Sequence, residues 1–410
     1  MVGDGITCAR LAVDGTRALA MAQDARFLGG SVGASHGEAL RQLCERALDE
    51  RPNVVVLLVD SGGVRLHEAN AAEWALARAL RALFHVRCAG IPTLAIVIGA
   101  AFGGASILAS ACERLRFLPH ARFGVSGPGV IETARGTGEL DAGDAGAVAA
   151  VFGAPARAAS GIGELIEDSA GALRGAITQA AQHPTRFDRL ALEQWDAALS
   201  GRLAAAGLAP AAAPASPPEL ALFADAQPVD PLGWLWRLRD SDVYLLRSLS
   251  PQPFGPAQAV AVAQALGRWL PAQAPLVVVE DSPGHATTRG DEVLGVSEYL
   301  AAHAARLALL QMEGHAALGL LTGCGHSAAF FVNALQAAVL DVFAGARIEA
   351  MAPEAIARVT RLPAGQLAAV IEDDALMGQP VRHLAAWGGV ARTHVAMSRA
   401  ELLARMEGLR

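Results

Sequence analysis

The chain has 410 residues, of which 53% are hydrophobic and 18% charged, so it can bury large cores and general disorder is excluded. Its formal net charge of -7 argues against the phosphate backbone of a nucleic acid as the main partner. All 33 basic residues are arginine, which excludes Schiff-base catalysis and a lysine general base.

The first half of the chain alternates predicted helices and strands. Residues 36–50 have the apolar spacing of a helix, and residues 53–60 (NVVVLLVD) are a continuous apolar run typical of a strand covered on both faces. A second helix is predicted over residues 70–84, and a second strand over residues 93–98. The alternation predicts an α/β fold with largely parallel strand pairing.

The segment Thr93–Cys112 carries no charge and is long enough to cross a membrane. However, Gly99, Gly103 and Gly104 lie in its middle, and no aromatic or arginine belt frames its ends. We therefore predict a buried strand, a glycine turn and a helix, and we expect no association with a membrane.

The five cysteines are far apart and contain no C-x-x-C pair: Cys8, Cys44, Cys88, Cys112 and Cys324. This spacing favours neither a structural zinc site nor a disulfide framework, and we expect no bound metal. The N-terminal segment MVGDGITCARLAVDG lacks a basic stretch followed by an apolar core, so we expect no secretory signal and predict a reducing, cytoplasmic location.

The second half of the chain repeats the first. The segment around Asp60 (VVVLLVDSGGVR) has a counterpart around Asp281 (PLVVVEDSPGHA). The glycine turn at Gly99 has a counterpart at Gly323. Because these separate anchors recur in the same order and at nearly the same spacing, the sequence predicts two α/β domains related by internal duplication.

Residues 205–228 are rich in alanine and proline and show no apolar periodicity, which is typical of a semi-extended tether. We therefore predict an N-terminal domain over residues 1–204 and a C-terminal domain over residues 229–410.

The glycine turns allow three interpretations. Gly99 and Gly104 have the spacing of a P-loop, but Ala105 stands where the phosphate-binding lysine must be, which disfavours nucleotide binding. Gly325–Ala329 (GHSAA) is one residue short of the G-x-S-x-G turn that carries a nucleophilic serine. A serine hydrolase that uses Ser327 is therefore an alternative, with acid and base candidates that follow in chain order: Asp341, Asp373, Asp374 and His383.

The third interpretation needs only backbone groups. A strand that ends in a glycine turn and restarts as a helix leaves its first amides without partners, in a region of partial positive charge. A second turn, Ser61-Gly62-Gly63, follows the preceding strand and can point another amide at the same place. Two such amides form an oxyanion hole, and glycine lets a substrate approach the backbone.

Four segments resemble the β subunit of biotin-independent malonate decarboxylase: DARFLGGSVGASHGEAL, VDSGGVRLHEAN, FGGASI and VSGPGVIE. Three others are similar to its γ subunit: EDSPGHATTRGDEVLG, GHSAAFFVNALQA and MAPEAIARVT. The resemblance covers most of residues 24–170 and 275–390, and it identifies the chain as a fusion of β and γ subunits. It implies two ββα-spiral domains of the carboxyltransferase branch of the crotonase-like fold.

The resemblance also implies the activity and the partners. The expected reaction is decarboxylation of a malonyl thioester on an acyl carrier protein, which gives the acetyl thioester and CO2. We expect no directly bound cofactor, since the substrate is carried on a phosphopantetheine-type, CoA-like group. The expected partners are the acyl carrier protein and an acyl-carrier transferase (α) subunit, and a homo-oligomer is compatible with the sequence.

The predicted site combines backbone and side-chain groups. Gly63 and Gly104 are expected to donate amides to the enolate oxygen, while Gly62 and Gly103 shape the turns. In the second copy Ser327 and Ala328 replace the serine–glycine pair that is usual in the family, and the methyl of Ala328 narrows the approach to its amide. Further substrate-binding candidates are Arg65, Ser126, Glu132, Gly284 and His285, and candidate proton donors are His285 and His326.

Three of these candidates have a competing interpretation. Arg65 is suited either to the malonyl carboxylate or to an ion pair with Glu68 or Glu132. Ser126 and Glu132 equally fit a turn serine and a carboxylate at a helix start. Two other functions remain for the whole chain: a biotin-dependent acyl-CoA carboxyltransferase, and an inactive copy that only organises an acyl-carrier assembly.

Overall fold

A computed structural model describes residues 4–214, 221–353, 356–357 and 363–410. The described chain forms two compact units. Unit 1 contains Met1–Glu193 together with Thr287–Ala301, and unit 2 contains Gln194–Ala286 together with Ala302–Arg410. The predicted boundary at residues 205–228 stays a prediction, and residues 215–220 of it and part of the segment MAPEAIARVT lie outside the described residues.

The two helices and two strands that the sequence predicts in the first half begin close to their predicted positions, and the structure adds further elements. In chain order they are β1 (Ile6–Val13), β2 (Thr16–Gln23), α1 (Ala34–Glu50), β3 (Val54–Ser61), α2 (Ala69–Cys88), β4 (Thr93–Ala101), α3 (Gly104–Ser110), β5 (Arg114–Phe117), β6 (Arg122–Phe123), α4 (Pro128–Arg135), α5 (Ala145–Phe152), α6 (Ala154–Ala159), β7 (Glu164–Leu165), α7 (Ala170–Gln182) and α8 (Arg189–Ala205).

The second half continues with the elements that build most of unit 2. They are β8 (Gln227–Pro228), β9 (Leu235–Arg237), β10 (Tyr244–Leu246), α9 (Pro256–Trp269), β11 (Leu276–Glu280), α10 (Arg289–Leu294), α11 (Val296–Met312), β12 (Ala317–Leu321), β13 (Cys324–His326), α12 (Ser327–Val332), β14 (Val339–Phe343), β15 (Arg347–Glu349), α13 (Ala364–Asp373), α14 (Val381–Ala386), β16 (Arg392–His394) and α15 (Arg399–Glu407).

Unit 1 is built on one sheet with the strand order β1-β2-β3-β4-β5-β7, and β6 also pairs with β4. Its first pair is antiparallel, and the later pairs from β2 onward are parallel. The valine run of β3 is buried because helices cover both faces of the sheet, as parallel sheets require. On one face Val54 and Val56 pack with Leu94, Ile96 and Ile177 of α7.

Unit 2 has a sheet with the order β16-β14-β12-β11-β10-β9-β8, in which β8, β9 and β10 pair antiparallel and the other pairs are parallel. A small parallel sheet joins β13 to β15. Both large sheets therefore run from an antiparallel edge into parallel strands, with β3 and β11 at equivalent places. This confirms the prediction of an α/β fold made of two related domains.

The uncharged segment Thr93–Cys112 forms β4, a turn and α3, as predicted. Among the residues that the structure describes, none of the helices is long and apolar enough to cross a membrane.

Candidate functional site

Two turns of unit 1 meet where β3 and β4 end, and we call residues 60–64 and 99–104 the first corner. A Cβ atom placed on Gly103 would lie 3.5 Å from the Cα of Gly63. Both glycines have positive φ angles, 110° at Gly63 and 58° at Gly103, which side chains rarely adopt. The structure therefore brings together the two turns that the sequence analysis paired.

The amides of the first corner have different partners. Gly62 donates to the carbonyl of Gly29 at 3.0 Å, and Gly103 donates to the carbonyl of Val125 at 2.9 Å. Gly63 donates to the hydroxyl of Ser61 across 3.2 Å. Within the described ranges, the amide of Gly104 meets no acceptor, as expected for the first residue of a helix.

A carboxylate holds the first corner in place. Asp60 accepts a hydrogen bond from the amide of Ala100 through Oδ1 at 2.9 Å, and its own amide donates to Gln23. A Cβ atom on Gly99 would lie 2.3 Å from that same Oδ1, so the carboxylate fills the space that the glycine leaves. In the sequence Asp60 is only an anchor of the repeat, and this contact was not predicted.

Unit 2 contains the same backbone arrangement, which we call the second corner (residues 281–285 and 323–328). Asp281 accepts from the amide of Cys324 at 2.9 Å, and a Cβ atom on Gly323 would lie 2.4 Å from the Asp281 carboxylate. Gly284 has a φ of 97° and Ser327 a φ of 52°, close to the angles of Gly63 and Gly103.

A pair of isolated bridges extends the correspondence between the corners. Val32 pairs with Val64 in unit 1, and Phe254 pairs with His285 in unit 2. The two copies of the sequence repeat therefore have equivalent backbone pairing.

The two corners differ in their side chains. Where the first corner has Val64, Phe102 and Gly103, the second has the chemically active residues His285, His326 and Ser327. The hydroxyl of Ser327 lies 3.2 Å from Nδ1 of His285. Burial and the neighbouring His326 lower the pKa of His285 to about 4, so its ring is neutral near pH 7.

Three possible metal ligands also lie at the second corner. The ligand atoms of Cys324, His326 and Glu349 are all within 4.8 Å of one another. Cys324 and His326 share one face of β13, and Glu349 is the cross-strand neighbour of His326. Nδ1 of His326 lies 3.3 Å from the Glu349 carboxylate, and burial raises the pKa of the Cys324 thiol to about 12. The expectation of no bound metal stays a prediction.

The remaining predicted residues of unit 1 are held by protein groups. Arg65 is buried and pairs with Glu68 at 2.7 Å and with Asp4, so the ion pair is the alternative that the structure contains. The amide of Ser126 donates to the buried carboxylate of Glu292, and Glu132 accepts from the amide of Ala142 at 3.0 Å. The substrate-binding roles of Arg65, Ser126 and Glu132 stay predictions.

Comparison with known proteins assigns both halves of the chain. Residues 1–159 match the family model "Carboxyl transferase domain", and residues 251–408 match the model "Malonate decarboxylase gamma subunit". The α/β fold and the first of these matches define a protein with a carboxyl transferase domain.

The chain is also similar to individual known proteins. The malonyl-S-ACP:biotin-protein carboxyltransferase MADC of Malonomonas rubra is 33% identical over 30% of this chain and 44% of that protein. The acetyl-coenzyme A carboxylase carboxyl transferase subunits beta/alpha of Parafrankia are 35% identical over 32% of this chain and 21% of that protein. A Pseudomonas malonate decarboxylase MdcD-MdcE hetero-dimer is 30% identical over 46% of this chain and 82% of that chain, with a TM-score of 0.41.

The chain belongs to the malonate decarboxylase family, in which it joins a carboxyl transferase domain to a gamma-subunit domain. This confirms the predicted resemblance to fused β and γ subunits. The chain spans less than half the length of the two curated relatives above.

Proposed function

We propose that the chain is a carbon–carbon lyase that decarboxylates a malonyl thioester to the acetyl thioester and CO2. The observation that carries this proposal is the contact between the turns of Gly63 and Gly103, beside the amide of Gly104. The match of the second half to a malonate decarboxylase subunit supports the choice of substrate.

The chemistry needs a group that accepts negative charge. When CO2 leaves, its bonding electrons move through the α-carbon onto the thioester oxygen and form an enolate. An amide aimed at that oxygen stabilises the transition state more than the ground state, which is the condition for catalysis. Loss of one such donor costs on the order of 3–4 kcal/mol in other enzymes. We propose Gly104 as the main donor and Gly63 as the second, after it exchanges the Ser61 hydroxyl for substrate.

The carboxylate that leaves also favours this reaction. The guanidinium of Arg65 is already neutralised by Asp4 and Glu68. A malonyl carboxylate without a cationic partner is easier to expel as CO2, because no ion pair has to be broken.

The enolate carbon then needs a proton. Of the two histidines predicted to supply it, His285 is neutral near pH 7 because burial lowers its pKa to about 4. A neutral imidazole of low basicity is a poor proton donor to carbon. The role of His326 as proton donor stays a prediction.

The carrier and the partner subunits belong to the same proposal. We propose that the thioester is presented on a phosphopantetheine-type arm of an acyl carrier protein, with an acyl-carrier transferase as a further subunit. The printed name of the Malonomonas relative, which contains malonyl-S-ACP, supports such a substrate. That name also contains biotin, so carboxyl transfer to biotin is the second candidate.

The test is CO2 and acetyl-thioester formation from malonyl-CoA and from malonyl carrier protein, with and without biotin. The substitution Gly104→Leu should lower turnover by about 10²-fold or more, because the side chain covers the donating amide. The matched control is Gly175→Leu, at an exposed glycine of α7 with open space around it.

Each outcome separates the candidates. Turnover without biotin supports the decarboxylase, whereas CO2 release that requires biotin supports the carboxyltransferase. If there is no turnover under either condition, the chain is an inactive copy that only organises an acyl-carrier assembly. If Gly104→Leu is as active as Gly175→Leu, the oxyanion hole is not at the first corner.

A further inference from the structure

Ser327 has a backbone conformation that favours glycine. It is the counterpart of Gly103 in the internal repeat, and it has nearly the same backbone, with a φ of 52° against 58°. A non-glycine residue in this left-handed region costs roughly 1–2 kcal/mol. A single substitution to glycine would relieve this strain. A strained residue that is kept at such a position therefore indicates a functional side chain.

The side chain of Ser327 has a partner suited to its chemistry. The Ser327 hydroxyl lies 3.2 Å from Nδ1 of His285, a residue from a distant part of the sequence. The imidazole is half-buried, and in the tautomer that leaves Nδ1 unprotonated this nitrogen accepts the hydroxyl hydrogen. The first corner has valine and glycine at these two places and therefore lacks both groups.

The backbone around Ser327 forms a strand–turn–helix, the arrangement that exposes a nucleophilic serine. Strand β13 ends at His326, Ser327 makes the sharp turn, and α12 follows at once. In nucleophilic-serine enzymes with this strand–serine–helix turn, the amide of the next residue helps to hold the oxyanion. Ala328 provides that amide here, and among the described residues it has no recorded acceptor.

We propose that Ser327 is a nucleophile that takes an acyl group from a thioester, with His285 as its proton acceptor. Unit 2 then has an acyl-transfer activity that the first corner lacks. The choice of a thioester rests on the proposed function, whereas the reactivity of the serine does not.

The step balances without any further reagent. Oγ of Ser327 attacks the thioester carbonyl carbon, the Oγ–C bond forms and the C–S bond breaks. The hydroxyl proton passes to Nδ1 of His285 and then to the leaving sulfur, which departs as a thiol. Water hydrolyses the acyl-serine in a second step, releases the carboxylic acid and restores the hydroxyl.

The structure replaces the base that chain order suggested. Nε2 of His383 lies 3.0 Å from the carbonyl oxygen of Glu372, and Asp341 pairs with Arg405 and His394. The serine of the hydrolase alternative was therefore predictable from the sequence, whereas its contact with His285 was not.

The first experiment treats the full chain with a fluorophosphonate probe, which forms a covalent adduct with activated serines. Peptide mass spectrometry should place the adduct on Ser327. Ser327→Ala should remove the label, and His285→Asn should slow labelling by about 10²-fold or more, because the amide oxygen accepts a hydrogen bond but not a proton. The matched control Ser160→Ala, at an exposed serine, should label like the native chain.

The second experiment uses acetyl-CoA, which has no carboxylate to lose and therefore separates this activity from decarboxylation. Free CoA and acetate should form with the native chain and with Gly104→Leu, but not with Ser327→Ala. The proposal is overturned if the native chain carries no adduct on Ser327, or if Ser327→Ala releases CoA at the native rate. Because the mapping uses the native chain, a variant that fails to fold does not block the test.

Discussion

At the residue scale, the backbone of Ser327 couples stability to function. Its φ of 52° is favourable for glycine and strained for any other residue. We predict that Ser327→Gly is more stable than Ser327→Ala by about 1 kcal/mol, since both variants lack the hydroxyl and one relieves the strain. Urea unfolding of the two variants measures the difference. Equal midpoints would show that the turn is not strained.

Burial of the Glu280 carboxyl group has a measurable effect on the stability of the chain. Glu280 ends β11, is fully buried, and accepts a hydrogen bond from Asn333 at 2.7 Å. Burial raises its pKa to about 7. Between the unfolded pKa of 4.5 and this value, the folded chain holds a proton that the unfolded chain has lost. The contribution of Glu280 to stability therefore falls as the pH rises through this window.

We predict that Glu280→Gln increases the free energy of unfolding, relative to the native chain, more at pH 8.5 than at pH 5. The two increases should differ by up to about 3 kcal/mol, because glutamine stays neutral. The measurement is the difference in free energy of unfolding between variant and native chain at the two pH values. Glu193→Gln, at an exposed glutamate of α8, is the control and should show no such change. A pH-independent difference at Glu280 would mean that the carboxylate is not destabilised by burial.

Residue-level chemistry was only partly predictable from the sequence. The glycines of the first corner could be named because a turn between a strand and a helix leaves few other choices. The contact of Ser327 with His285, and that of Arg65 with Asp4, could not be named, since each joins distant parts of the chain. Local spacing has no information on such pairs.

At the element scale, Asp60 and Asp281 fix the strand ends that carry the two corners. Each carboxylate accepts a hydrogen bond from the amide of the residue that follows a glycine, Gly99 or Gly323. We predict that Asp60→Ala destabilises unit 1 by about 1–3 kcal/mol and lowers CO2 release, because the amide of Ala100 loses its acceptor. Urea unfolding and the decarboxylation assay are the measurements.

The matched variant is Asp60→Asn, which keeps an acceptor oxygen at the same place and should retain most of both properties. Full activity in Asp60→Ala would show that the end of β4 does not need this support.

The positions of the two helices and two strands predicted in the first half agree with the structure. The valine run predicted over residues 53–60 is β3, Val54–Ser61, because continuous apolar runs are typical of strands covered on both faces. The internal repeat also predicted that β11 would match β3. The short strands β13 and β15 were not foreseen, since such short segments cannot show a period.

At the scale of the whole molecule, unit 1 uses a segment from far along the chain. Residues Thr287–Ala301 belong to it, and Glu292 of this segment accepts hydrogen bonds from the amides of Val125 and Ser126. The guanidinium of Arg157, itself buried, lies 3.4 Å from the same carboxylate. Without this segment, a buried cation and two amides lose this carboxylate.

We predict that residues 1–204 alone do not form a stable fold, and that co-expression with residues 229–410 restores one. The reason is that removal of one partner of a buried ion pair costs about 3–5 kcal/mol. Solubility, size-exclusion chromatography and urea unfolding measure the effect. Cooperative unfolding of residues 1–204 alone would contradict it.

The interleaved segment also sets an order of events during synthesis. A ribosome must translate Ala301 before the last piece of unit 1 exists, and by then the whole first portion of unit 2 has been made. Folding of the first unit during translation therefore stays incomplete while its successor emerges. A pause or a chaperone acting before that codon would protect the incomplete unit from aggregation.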